Sequence, residues 1–186
     1  MTKAALFPAL LIAACLIAGL YGALHNQISY TVSPEYFHTF KFEQFDIPED
    51  FRNRFGASLV GWHATWAMGL LVGVPILFLG LIMPDSKSYL VHSLIACVLV
   101  IIVTLAFGLS ALADEPYLSS YRYPGVVDKV AYARVGNMHS SSYLGGFIGG
   151  FIGCMYIIGA RVYLALRPSK LYQQPRTNDQ LPATDP

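Results

Sequence analysis

The sequence predicts an all-α integral membrane protein, a four-transmembrane-helix bundle under a small aromatic cap with a candidate β-hairpin in it. Three observations carry this. Of its 186 residues, 55% are hydrophobic and only 12% charged, whereas a soluble domain usually has about 25% charged residues. Such a chain cannot cover its own surface with polar groups, so lipid must be part of its solvent. Four segments, 4–24, 57–83, 89–113 and 138–166, are long enough to supply the about 20 apolar residues that cross a bilayer. The intervening segments 25–56 and 114–137 are rich in tyrosine and phenylalanine, which settle at a membrane–water boundary.

Each element has its own signals. The first span follows Lys3 and ends near the small pair Gly22-Ala23, but its apolar run exceeds a signal-peptide core, so a retained helix is expected. Segment 25–56 alternates apolar and polar residues in Ile28–Val32 and in Phe40–Glu43, the period of a strand with one buried face, and Ser33-Pro34 can turn between two such strands. Pro48, with Glu49 and Asp50 beside it, resembles a helix start that would let the second helix begin outside the membrane. Pro75 is expected to bend that helix, and Pro84-Asp85-Ser86 to close it with a tight turn into the third. The second outer segment carries Tyr117, Tyr121, Tyr123 and Tyr132, so two aromatic loops would form one lid. The tail 168–186, rich in Pro, Gln, Asp and Thr, reads as disordered.

Orientation follows from basic residues in short segments. Lys3, Lys87, Arg161, Arg167, Lys170 and Arg176 fall on one side, and Lys41, Arg52, Arg54, Arg122, Lys129 and Arg134 on the other with eight acids. The counts tie, so the higher basic density of the short segments on the first side sets the orientation. Both termini are therefore expected in the cytoplasm. The net charge of +1 offers no field for nucleic acid. Cys15, Cys97 and Cys154 lie inside apolar runs without a disulfide or metal spacing.

The histidines carry the functional expectation. His25, His63 and His139 each stand about 20 residues, one hydrocarbon thickness, from the far end of their spans. Asp114 closes the third span at the same level, and Glu35 and Glu115 are near it in sequence. Ionisable groups at that depth usually face a bundle interior, where they pair or coordinate, and helices delivering histidines and carboxylates inward are how bundle metal sites are built. His25, His63, His139, Asp114, Glu35 and Glu115 are therefore candidate metal ligands. Tyr143, one turn past His139, together with Tyr36 and Gln27, would hydrogen-bond a ligand or bound water. His92 lies at the opposite end of the third helix, at the wrong depth to join them. Gly69 and Gly73 on the second helix, and Gly145, Gly149 and Gly153 on the fourth, have the spacing that lets backbones approach in lipid. If those two helices are neighbours, His63 and His139 would face each other.

The stretch "HNQISYTVSPEYFHTFKFEQF" resembles a motif of a family of small bacterial inner-membrane proteins of unknown function. The positions are His25, Gln27, Tyr30, Thr31, Ser33, Pro34, Glu35, Tyr36 and Phe37, directly after the first helix. The resemblance implies a bacterial source and a multi-pass protein of the cytoplasmic membrane; it brings no activity with it.

Three functions follow as expectations. The first is a metal or redox site at the outer face. Iron or copper there would suit oxidation of a lipid-soluble substrate entering sideways, and zinc would suit hydrolysis. The second is a non-catalytic membrane subunit or assembly factor that binds a partner through its aromatic loops. The third is a haem held between His63 and His139. A transporter fits less well, because mid-span positions lack ionisable residues.

Overall fold

A computed structural model describes residues 2–116, 118 and 125–167. Tyr117, Tyr121, Tyr123 and the tail 168–186 lie outside the described residues. Four long helices form the bundle: α1 (Lys3–Val32), α2 (Arg54–Gly80), α3 (Ser86–Ala113) and α4 (Lys129–Leu166). All four are long and apolar enough to cross a membrane. With 30 and 38 residues, α1 and α4 run to about 45 and 57 Å, well beyond one hydrocarbon thickness. Both exceed the expected spans 4–24 and 138–166, chiefly at their cap ends.

The segment after α1 is helical, and no strand occurs among the described residues. His25, Asn26, Ser29 and Ser33 are the buried positions there, a spacing of three to four that belongs to a helix. The alternation in Ile28–Val32 is too short to outweigh that continuing period. At Ser33 the chain breaks, and Ser33 Oγ accepts from the Tyr36 amide at 3.3 Å with Pro34 at the first helical position. A short helix (Pro34–Tyr36), a π-turn (Phe37–Lys41) and a second short helix (Phe42–Gln44) follow.

Asp46 takes the left-handed conformation at φ 50°. Its amide donates to the Glu43 carbonyl at 3.2 Å, and Ile47 N donates to the Phe42 carbonyl at 2.8 Å. That pair of bonds is a Schellman helix end, so Asp46 closes the short helix, and Glu49 and Asp50 open a 3-10 turn rather than the second long helix. A 3-10 turn over Glu49–Phe51 intervenes, and α2 starts only at Arg54, with Asn53 Oδ1 accepting from Phe55 N at 2.8 Å. The helix then continues through Pro75.

The helices associate as two hairpins, α1 on α2 and α3 on α4, which meet chiefly through α2 and α4. Glycine permits the first contact. A side chain on Gly61 would run into the Gly22 carbonyl, and one on Gly69 would meet the Ala14–Cys15 backbone. Gly145 and Gly149 instead press on Thr104, Phe107 and Val100 of α3. The two glycine ladders thus serve different neighbours: α2 uses its own against α1. The residues outside these seams, such as Ile12, Phe78 and Phe151, are 62–68% exposed, as befits side chains solvated by lipid tails.

Two cores form, one at each end. Leu10, Ile76, Leu77, Met83, Tyr89 and Ile157 fill the end away from the cap. Tyr36, Phe37, Phe42, Ile47, Val60 and Val135 fill the cap. At the first end Lys3 Nζ donates to the carbonyls of Leu81 (2.9 Å) and Met83 (2.6 Å), and Arg161 Nε to that of Ile82 (3.0 Å). These cations satisfy carbonyls that the end of α2 leaves without partners.

Candidate functional site

Between the two cores lies a cleft of about 120 Å³, walled by both hairpins. On α2 its lining runs from Gly61 to Ile76, a length of about 22 Å at the rise of an α-helix. Its floor is apolar, with Ile17, Met68, Val72 and Ile101 among the lining side chains. Ile17 and Tyr143, each 39% exposed, stand at its margins. Polar groups gather at the cap end: Tyr21, His25, Asn26, His139, Ser142 and Tyr143.

His25 and His139 meet there edge to face, with ring centroids 5.1 Å apart. His25 comes from α1 and is buried, and its Nε2 lies 3.0 Å from Ser142 Oγ of α4. His139 Nε2 lies 3.2 Å from Ser29 Oγ of α1, so each histidine is held by a serine of the other's helix. Asn26 fixes this end of α1 by donating Nδ2 to the Ala57 carbonyl at 2.9 Å.

The cap closes over the pair. Tyr36 packs its ring against His139 at 5.4 Å and against Tyr132 at 4.9 Å. Phe37, fully buried, lies 6.3 Å from His139. Lys41 crosses the Phe40 ring at 4.6 Å, and burial among these rings holds its ammonium below the ordinary lysine range.

The other expected ligands are elsewhere. His63 is exposed and absent from the cleft lining. Cleft positions on α2 are 61, 64, 65, 68, 69, 72, 73 and 76, and two residues' rotation from either Gly61 or Thr65, about 200°, puts His63 on the far face. The His63–His139 pairing that a bridging haem needs is therefore not assembled. Glu35 spends its carboxylate on the backbone amides of Val127 (2.8 Å) and Asp128 (3.1 Å), tying the cap to the start of α4. Asp114 and Glu115 are exposed. Among the described residues no three His, Cys, Asp or Glu side chains stand together as a metal ion would need. Gln27 donates to the Arg54 carbonyl at 2.9 Å and to Ser58 Oγ at 2.7 Å, bracing α1 on α2 instead of supporting a ligand. At the opposite end His92 Nδ1 pairs with Tyr156 Oη at 2.8 Å.

Sequence reasoning missed Tyr21, Ser29 and Ser142. A signal was present: Tyr21, His25 and Ser29 recur every four residues, as do Met138, Ser142 and Gly146, and each row lies on one helical face. Fold and site together define a four-helix bundle of membrane-spanning length with a cleft between its two hairpins. Comparisons with family models, curated proteins and solved structures give no match.

Proposed function

We propose that this protein is a multi-pass protein of the bacterial cytoplasmic membrane that binds a lipid-soluble molecule in the inter-hairpin cleft. The molecule's tail lies along the apolar floor, and its polar head rests on the His25–His139 pair under the aromatic cap. One observation carries the reading: a long apolar cleft whose polar side chains gather mostly at one end, the two threonines along it having their hydroxyls engaged by backbone carbonyls. Ligand sites are built this way, mostly apolar with a few convergent polar groups to orient the guest. Both termini lie in the cytoplasm, which is supported by Lys3, Lys87, Arg161 and Arg167 at the end away from the cap.

Gly146→Leu tests it. A side chain at Gly146 starts 3.7 Å from its nearest neighbours, Met68 Cε and Thr104 Oγ1, so it enters the cleft without displacing a backbone. Protein purified from membranes should carry a chain-bearing molecule detectable by native mass spectrometry, and Gly146→Leu should lose it while remaining folded. A wild-type protein with no such passenger, or a variant retaining it, removes this function.

A metal at the histidine pair is the second reading, favoured by two imidazoles from different helices in ring contact. It requires further donors from the bound molecule or water. Elemental analysis of the purified protein decides it.

A further inference from the structure

Resting on the cleft reading, we infer that the bound molecule carries an uncharged oxygen head that accepts a hydrogen bond, the chemistry of a long-chain quinone, whose quinol form can also donate one. Three observations lead there. The cleft lining contains no Asp, Glu, Lys or Arg, so a phosphate, carboxylate or ammonium head would enter a low-dielectric site without a counter-ion.

The second is the hydrogen-bond donors already in use. The Thr65 hydroxyl lies 2.7 Å from the Ala18 carbonyl and 2.8 Å from that of Gly61, and Thr104 donates to Val100 at 2.7 Å. Asn26 gives its amide to Ala57. Tyr21 Oη, buried at the cleft wall, makes no hydrogen bond of sound geometry; the Ser142 hydroxyl, its polar neighbour, is already engaged with His25 Nε2. A buried hydroxyl left this way costs free energy that an acceptor on a ligand would relieve.

The third is the arrangement of protons on the histidines. Ser29 donates its one hydroxyl proton to the His25 carbonyl at 3.2 Å, so toward His139 it can only accept, and His139 Nε2 carries the hydrogen. In its neutral form His139 then has a lone pair on Nδ1. Asn26 Oδ1 likewise can only accept, so its 3.5 Å contact puts the His25 proton on Nδ1 and lets Ser142 donate to Nε2. The site therefore offers a buried donor, Tyr21 Oη, and an acceptor, His139 Nδ1, with Tyr143 Oη as a further donor at the half-exposed margin. A ring carbonyl answers the Tyr21 donor, and the hydroxyl of the reduced ring answers both groups.

Probes with a common ten-carbon tail separate head from tail: a decyl-substituted benzoquinone, decanoate and decyltrimethylammonium, titrated into the full chain in lipid nanodiscs. The benzoquinone should bind at least about tenfold more tightly than either ion. Tyr21→Phe should weaken it about tenfold, the loss of one hydrogen bond, and leave probe-free thermal stability nearly unchanged because that hydroxyl makes no hydrogen bond of sound geometry in the free protein. Equal or tighter binding of an ion, abolished by Gly146→Leu, overturns the head assignment and leaves the cleft reading standing. Benzoquinone affinity unmoved by Tyr21→Phe also overturns the head assignment. If no probe binds, or Gly146→Leu changes nothing, the cleft reading falls and takes this inference with it.

Discussion

His25 and His63 reach nearly the same depth, yet one meets His139 and the other faces outward. Depth is a count along the helix axis, but contact depends on azimuth, which turns by about 100° per residue. Polar side chains near helix ends behave in the same local way. Asp85 accepts from the Lys87 and Ser88 amides and from the Ser88 hydroxyl, all at 2.8–2.9 Å, and so caps α3. Those bonds hold its carboxyl below the usual aspartate range, the Ser88 amide foremost. A carboxyl depressed on folding contributes stability above its unfolded pKa, and that contribution is lost as pH falls through the folded value. The melting temperature in detergent should therefore drop on acidification below about pH 4, and Asp85→Asn should flatten that part of the profile. An identical acid limb in the variant would show that the cap contributes nothing.

At the scale of an element, what distinguishes the helices is how closely their backbones approach. Gly22 and Gly61 touch across the α1–α2 seam, and nothing larger fits there. Gly159 has no neighbour within 4 Å of where a side chain would start. Gly61→Val should cost at least about 1–3 kcal/mol through overpacking, read as a lower melting temperature and loss of the folded monomer. Gly159→Ala should be neutral or stabilising by about 0.5–1 kcal/mol. Equal tolerance at both positions would show that the seam is not where the hairpin is held. The sequence made the glycine ladders of α2 and α4 visible but not their partners. Spacing marks a face as small without saying which helix will lie on it, and the matching face of α1 is a mixed row, Ala14, Ala18 and Gly22, that a search for glycines alone passes over. Cap elements were legible in part: the aromatic composition identified a lid, but four or five alternating residues could not outvote the period running on from α1.

Across the whole molecule, two tightly paired hairpins meet more loosely, and the cleft is the space left between them. The bound tail would complete that contact, so the cleft belongs to the assembly and to no single segment. The orientation proposed above is a property of the whole chain too. In intact cells a membrane-impermeant maleimide should label Thr39→Cys in the cap and spare Lys87→Cys at the α2–α3 turn, both exposed positions. The reverse pattern would invert the topology. Solvent, span number, cap location and the level of the histidines were all readable from the chain, because hydrophobic length and depth are one-dimensional quantities. Only tertiary structure decided that His25 joins His139, that Glu35 binds a helix start and that Tyr21 is left with a free hydroxyl. Those outcomes depend on which face each helix turns toward which neighbour, and no residue carries that information until close backbone contacts select the pairing.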